Sequence, residues 1–413
     1  MANRMFCAAL LAAVLVFGTV SAAAADAAQD TEAATPTEEI TAVSEETAEA
    51  AAVDPNAALN LTAPSAILIE QSTGTVLYEK NAHERLAPAS VTKIMTLLLV
   101  MEALDEGRIT WDDQVTTSET AAAKGGSQVY LEVGEQMPIT DMIKSVCVSS
   151  ANDCATALAE HVAGSEEAFV AMMNSRAAEL GMTDTHFVNC TGLDDDDDAK
   201  EHLTSAYDIA IMSRELLKHD RIREFTTIWM DSVRDGKFGL SNTNKLVRFY
   251  QGTTGLKTGF TSSAGYCLSA SAERDGVEYI AVALHCDTSD HRNSDCKAML
   301  DFAFANYALV TPEPEEALAA VPVKLGTAET VTPVMENTDN LLVGKSEAAA
   351  VTKTLELSAE VEAPVEQGQR LGTVTVKSGD TVLSEIPVVA AEAVARLTWW
   401  DAAMRIFGKA CFS

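Results

Sequence analysis

Seven histidines occur in the 413 residues, and none belongs to an H-E-x-x-H sequence. That absence argues against a zinc peptidase of the H-E-x-x-H kind, whose two imidazoles stand one helical turn apart. The eight cysteines form no C-x-x-C pair and have no histidine at zinc spacing, so no structural zinc site is indicated. Positive charge is scarce: 29 Lys and Arg face 61 Asp and Glu, a formal net charge of −32. Such a surface repels phosphate and excludes nucleic acid as a partner. Between Asp26 and Pro55 Lys and Arg are missing altogether, while nine carboxylates stand among Ala and Thr. Too little apolar surface is present there to offset the entropy of ordering, so 26–58 is expected to be an acidic disordered tether. A second acidic run, Asp194 to Asp198, reads as a solvated loop, with cation binding as the alternative.

A long membrane span is also missing. The apolar run from Met5 to Val20 is short for a retained anchor. It follows one positive charge, Arg4, and precedes the small-residue tract SAAAADAA, with Ala-x-Ala sites ending near Ala25 or Ala27. This order predicts a secretory signal peptide over 1–25 and an exported product. With Cys7 removed, seven cysteines remain, an odd number. Unpaired thiols in an exported protein point to a reducing or anaerobic habitat and to packing roles, though one disulfide is still compatible.

What remains is ample for cores, with 47 % hydrophobic residues. Ala66–Glu70 and Thr75–Tyr78 are apolar, β-prone runs around Gln-Ser-Thr-Gly, a hairpin pattern. From Ser90 to about Leu104, Ile94, Met95, Leu97, Leu98 and Met101 recur at helical spacing. Further helices are predicted over Ile139–Val148, Asp153–Ala163, Glu166–Leu180 and Thr204–Leu217. Strands are predicted over Gly255–Thr261, Tyr266–Ala272 and Tyr279–His285, with Glu273-Arg-Asp-Gly as a hairpin turn. Strands at both ends and helices between predict an α+β (α/β) domain over 59–310, with one antiparallel sheet covered by helices. After Thr311-Pro-Glu-Pro-Glu-Glu, alternating segments such as Arg370–Val376 and Thr381–Val389 predict a small all-β domain over 316–390. The segment 391–413 is expected to be a two-faced helix, with Ala393, Leu397, Trp400, Met404, Phe407 and Cys411 on one stripe. Its five charged residues forbid spanning a bilayer. A helix lying in the membrane interface is the favoured reading, and docking on its own β domain is the alternative.

Acyl transfer by serine needs a nucleophile, a base touching it, a proton relay and an oxyanion hole. Ser90-Val-Thr-Lys93 supplies the first two, because residues three apart share a helical face. Lys93 serves as a base only when neutral, so burial and a neighbouring cation must lower its pKa. The motif is short, and the chain holds decoys in Ser294-Asp-Cys-Lys297 and Lys377-Ser-Gly379. Order and setting discriminate. Ser90-x-x-Lys93, Ser150-Ala-Asn152 and Lys257-Thr258-Gly259 follow one another at a helix start, a loop between helices and a strand. Ser149 adjoins the relay position, but Ser150 alone gives Ser-x-Asn.

Those motifs lie in SAILIEQSTGTVLYEKNAHERLAPASVTKIMT, SVCVSSANDCATALAEHVAGS, HFVNCTGL with HLTSAYDIAIMSREL, and GLKTGFTSSAGYCLSASAERDG. Together these stretches resemble the low-molecular-mass penicillin-binding proteins, and more specifically D-alanyl-D-alanine carboxypeptidases. The likeness runs from about Ala58 to Ala391, since APVEQGQRLGTVTV resembles that family's C-terminal β domain. The resemblance implies a β-lactamase/transpeptidase-like catalytic fold, peptidoglycan stem peptides as substrate, β-lactams as acylating inhibitors, and no metal or cofactor. It implies residue roles as well. Ser90 attacks, Lys93 takes its proton, Ser150 passes a proton to the leaving amine, and Asn152 orients Lys93 and the substrate amide. Lys257 keeps the pocket electropositive and Thr258 bonds the terminal carboxylate. The N–H groups of Ser90 and Phe260, after Gly259, form the oxyanion hole. Arg292 matches an arginine placed near the substrate carboxylate, a surface charge being the alternative. Phe260 departs from relatives that carry His, and Cys147 and Cys154, flanking the Ser-Ala-Asn loop, either tune it or fill space.

Three competitors remain in view. A β-lactamase would add a Glu-x-x-Leu-Asn loop, absent between Asp184 and Asp195. An endopeptidase or transpeptidase would differ in cleft shape. A silent wall-binding module would need a broken constellation.

Overall fold

The structure, a computed structural model, describes residues 59–195 and 197–404. The expected leader (1–25), tether (26–58) and end of the terminal helix (405–413) lie outside the described residues, as does Asp196.

The opening hairpin forms where the apolar runs predict it, with β1 at Ser65–Glu70 and β2 at Val76–Lys80. The Glu70 carboxylate closes the turn by accepting from the Ser72 and Thr73 backbone N–H groups at 2.9 and 2.6 Å. Three later strands complete the sheet: β3 (Thr253–Thr261), β4 (Gly265–Arg274) and β5 (Val277–Cys286). Their order is β2-β1-β5-β4-β3, antiparallel throughout, with Ser65 opposite Leu284. Asp275 and Gly276, at φ 53° and 77°, make the two-residue turn between β4 and β5.

Alternation assigns the two faces of this sheet to different cores. Ile67, Ile69, Ile280, Val282 and Leu284 pack with the central helices. Leu68, Ala270, Tyr279 and Ala281 pack with Cys296, Met299 and Leu300 on the other side. Helices therefore cover both faces. They are α1 (Lys93–Asp105), α2 (Ile139–Ser149), α3 (Asn152–Ala163), α4 (Glu166–Glu179), α5 (Ala206–Leu217) and α6 (Ser289–Asn306). Ser165 and Ser205 set the starts of α4 and α5, each side chain accepting from a backbone N–H three residues on, at 3.1 Å. Thus α5 starts at Ala206 rather than at Thr204. The helix expected from Ser90 begins instead with a 3₁₀ turn over Ala89–Thr92, and α1 proper starts at Lys93. α1 is buried almost all round, as the central helix of the domain.

Beyond α6, Tyr307–Val310 pairs with Leu341–Gly344. A three-stranded and a four-stranded sheet follow, the latter led by the long pair Arg370–Ser378 and Thr381–Ala390. The terminal segment departs from expectation. Residues 393–397 are not helical but bridge to neighbouring segments: Val394 exchanges hydrogen bonds with Val365 at 2.9 Å, and Leu397 N–H donates to Leu325 O at 2.7 Å. Val394 is buried in the core of the smaller sheet, a demand that overrides helical periodicity. The helix starts after Thr398, whose side chain and Asp401 cap each other's backbone N–H groups. Ala393 and Leu397 of the expected stripe are outside this helix, whereas Trp399, Trp400 and Met404 are 73 %, 71 % and 70 % exposed. Among the described residues, no helix is long and apolar enough to cross a membrane.

Candidate active site

The 3₁₀ turn delivers Ser90 half-buried at the head of α1, where Lys93 is fully buried. Lys93 Nζ lies 3.0 Å from Ser90 Oγ and donates to the Thr191 carbonyl at 2.7 Å. Burial first, and then the charge of Lys257, hold Lys93 well below the ordinary lysine range, against weaker opposing effects of Cys190 and Asp153. A lysine held so is neutral for a usable fraction of the time, and the short contact is its path to the hydroxyl proton.

Two glycines let backbone close on the nucleophile turn. A Cβ on Gly192, which has φ 80°, would stand 1.8 Å from the Ala89 carbonyl oxygen. A Cβ on Gly259 would stand 2.6 Å from Pro88 O and 3.1 Å from Val91 N. The Lys-Thr-Gly strand β3 therefore runs directly against residues 88–91.

Ser150 links α2 to α3 in the left-handed conformation, φ 62°, which turns the chain abruptly between the two helices. Its hydroxyl is buried and finds no partner among the described residues. Asn152, the first residue of α3, donates from Nδ2 to Gly125 O at 2.8 Å, and its Oδ1 is likewise buried without a partner. Buried orphan groups of this kind mark sites built for a ligand. Ser149 is the last residue of α2.

Lys257, nearly fully buried, donates to Thr258 O at 2.9 Å. Burial, then Arg292, push it down to about 7, with Cys147 opposing. Thr258 Oγ1 donates to Thr243 Oγ1 at 2.7 Å, and Thr243 N–H in turn donates to Val148 O on α2. Phe260 is 53 % exposed and lies tilted on Tyr266, ring centroids 4.3 Å apart. Arg292 is no surface charge: it is 7 % exposed on α6, and Nη1 donates to Gly259 O at 2.9 Å and to Cys267 O at 3.2 Å. It grips strand β3 by its backbone.

The structure thus gathers Ser90, Lys93, Ser150, Asn152, Lys257, Thr258, Gly259, Phe260 and Arg292 in one region. The decoys stand apart, Ser294 exposed on α6 and Lys377 in the C-terminal sheet. Sequence reasoning missed Thr191, Gly125 and Thr243, which act through carbonyls or a second hydroxyl that no motif encodes. A cavity of about 310 Å³ is lined among others by Thr120, Lys124, Asn189 and Asp195 and by Gly125 and Thr191, whose carbonyls accept from Asn152 and Lys93. Cys147, Cys154, Cys190, Cys267, Cys286 and Cys296 are all free and buried. Asp194 of the acidic run accepts from Ser263 Oγ.

Comparison with known proteins follows the same lines. The D-alanyl-D-alanine carboxypeptidase family model matches residues 48–288, and the model of the C-terminal domain of penicillin-binding protein 5 matches 313–396. D-alanyl-D-alanine carboxypeptidase DacF of Bacillus subtilis is 46 % identical over 335 residues, 80 % of this chain and 85 % of the relative. DacC of Escherichia coli is 32 % identical over 368 residues, 84 % of this chain and 86 % of the relative. Penicillin binding protein 5 from Haemophilus influenzae superposes with a TM-score of 0.69 at 28 % identity, covering 82 % of this chain and 98 % of that one. Likeness of this extent, in sequence and in fold, makes the chain a member of the D-alanyl-D-alanine carboxypeptidase family of serine peptidases.

Proposed function

We propose that this protein removes the terminal D-alanine from peptidoglycan stem peptides through an acyl-Ser90 intermediate. The observation that carries the proposal is the 3.0 Å contact between Ser90 Oγ and the fully buried Lys93 amine, depressed by burial and by Lys257. Lys93 takes the hydroxyl proton as Ser90 attacks the penultimate carbonyl, and the N–H groups of Ser90 and Phe260 hold the resulting oxyanion. Ser150 passes a proton to the leaving D-alanine nitrogen, and Asn152 orients the substrate amide. Lys257 and Thr258 receive the terminal carboxylate, with Arg292 bracing the strand beneath them. Water then hydrolyses the acyl-enzyme. β-Lactams enter by the same attack and stay as penicilloyl-Ser90.

The protein works outside the cytoplasmic membrane after loss of a signal peptide, resting on the outer face through its C-terminal helix. The adjacent exposed aromatics Trp399 and Trp400 support that placement.

Mass spectrometry of the protein with benzylpenicillin, paired with D-alanine release from diacetyl-Lys-D-Ala-D-Ala, tests the reading in wild type and Ser90→Ala. An adduct on Ser90 with Ser90-dependent release is expected. An adduct without release points to an endopeptidase or transpeptidase, and no adduct on folded protein leaves a wall-binding module. Rapid turnover of the adduct marks a β-lactamase.

A further inference from the structure

Three polar contacts fasten the segment 187–193 to the side of α1 that carries the nucleophile. Two have direct form: Lys93 Nζ donates to Thr191 O at 2.7 Å, and Thr96 Oγ1 donates to Cys190 O at 2.6 Å. The third runs through a histidine that no catalytic motif contains. Val188 N–H donates to His202 Nδ1 at 3.1 Å, so the proton of the neutral ring sits on Nε2. Nε2 lies 2.8 Å from Thr92 Oγ1 and donates to it, and Thr92 Oγ1 donates to Ala89 O, also at 2.8 Å.

The chain of bonds ends at a demanding place. Thr92 lies between Ser90 and Lys93, and Ala89 precedes Ser90 with φ 48°, a conformation that a residue with a Cβ keeps only when its surroundings enforce it. His202 is itself locked: it is 3 % exposed, meets Phe187 edge-on with ring centroids 5.6 Å apart, and its backbone N–H donates to Ala199 O at 3.0 Å. Burial, then His186, then Lys93 push its imidazole down to about 4, which keeps it in the donating neutral form at ordinary pH.

We infer that His202 is a positioning residue for acylation, tying the turn that carries Ser90 to the segment whose Thr191 carbonyl orients Lys93. The inference rests on the roles given above to Ser90 and Lys93. Its force comes from geometry: Ser90 and Lys93 sit on one short turn, while the carbonyl that aims Lys93 comes from a segment remote in sequence. The Lys93 and Thr96 contacts hold that segment to α1 itself, and His202 alone of the three reaches the turn before it, so without His202 the 3.0 Å contact loosens. Misplacement of reacting groups by about 1 Å costs on the order of 10²-fold in rate.

Two variants separate the two bonds of the ring. His202→Asn keeps a polar atom near the place of Nδ1 and falls short of Thr92. His202→Gln reaches the place of Nε2 and donates to Thr92. Stoichiometric titration with benzylpenicillin comes first, so that failure of the Ser90 reading shows as an absent adduct in the wild type. The acylation rate per titrated site is then followed from about pH 5 to about pH 10, beside thermal unfolding. His202→Asn should acylate about 10- to 100-fold more slowly per titrated site, and His202→Gln should recover to within about 3-fold of wild type. In His202→Asn the acid limb should also move to higher pH. A looser turn wets Lys93, whose pKa then returns upward although Lys257 still opposes it and Cys190 and Asp153 still face it. Thr92→Val, which removes the hydroxyl that accepts from His202 and donates to Ala89 O, should lose at least as much as His202→Asn and replaces it if that variant does not fold. A wild-type rate and an unmoved acid limb per titrated site in His202→Asn or Thr92→Val would overturn the inference. So would equal losses in the Asn and Gln variants, which would show a structural contribution alone.

Discussion

Arg292 Nη1 donates to the carbonyl oxygen of Gly259 across 2.9 Å, so a buried cation on α6 holds the strand that carries Lys257 and Thr258. Arg292→Met would leave the Gly259 and Cys267 carbonyls without that donor, at a cost of about 1–3 kcal/mol. Denaturant unfolding should show this loss, and kcat/KM for D-alanine release should fall roughly tenfold or more as the strand loosens. Arg292→Lys has a shorter reach, places its ammonium short of the Nη1 position that bonds both carbonyls, and should rescue little.

Lys257 makes stability depend on pH. Its pKa in the folded protein is about 7 and that of an unfolded lysine is about 10.4. Between those values the unfolded chain binds the extra proton, so stability should rise as pH increases from about 7 towards 10.4; as pH falls it is lost across that same window, and below about 7 Lys257 adds no further slope. Lys93, shifted in the same direction, adds to the slope. Lys257→Met should flatten the slope and stabilise the fold near pH 6 by about 1–4 kcal/mol, while abolishing D-alanine release. Urea melts at about pH 6 and about pH 9 check both parts.

Gly192→Ala should be far worse than its size suggests. The new methyl would stand 1.8 Å from Ala89 O at a φ of 80°. A loss of about 3 kcal/mol or more, or a folded protein that penicillin does not label, is expected. Gly236, at φ 82° with nothing within 4 Å, is the control, and Gly236→Ala should cost only about 1 kcal/mol. Thermal unfolding and penicillin labelling of the two variants give the comparison.

Trp399 and Trp400 should anchor the protein on lipid. Cosedimentation of the mature chain with zwitterionic vesicles is expected, and Trp399→Ser with Trp400→Ser should lower partitioning by about tenfold or more. Penicillin acylation should not change, since the two rings contact each other and follow a segment bonded to the C-terminal sheet domain. Retained cosedimentation in the double variant would leave the aromatic pair without that role.

The buried cysteines should be silent. Burial pushes the Cys147 and Cys286 thiols up to about 12 and Cys267 to about 11, and it raises Cys154, Cys190 and Cys296 too. Thiolate chemistry therefore fails in the folded state. A maleimide label mapped by mass spectrometry should fall on none of these six before denaturation and on all of them after it.

Much of the catalytic set was legible because it is local. Ser90 and Lys93 share a turn, and Lys257 to Phe260 share a strand, so spacing and order suffice. The groups that aim them are not local: Thr191 is 98 residues from Lys93, and Gly125 is 27 from Asn152. A backbone carbonyl leaves no trace in residue type. Helix α6 escaped notice because its buried face carries Arg292 and Asp295, which read as surface residues until their partners are known. Asp295 accepts from Thr62 Oγ1 and from Ala63 N–H, both beyond the reach of periodicity. The stretch from Glu392 failed for the opposite reason. Its apolar spacing suits a helix, but Val394 is needed in a β core, and a few residues of pattern cannot outweigh that burial.

The pairing of Ser65–Glu70 with Tyr279–Leu284 sets a timetable for the nascent chain. At roughly 5–20 residues per second, the ribosome makes the first strand of the sheet roughly 10–40 s before its neighbour β5 exists. For that interval the run Ala-Ile-Leu-Ile has a hairpin partner on one edge and none on the other. A fragment truncated anywhere before β5 leaves β1 with its hairpin partner alone, so the five-stranded sheet is completed late, with its oldest strand kept waiting for one of its youngest.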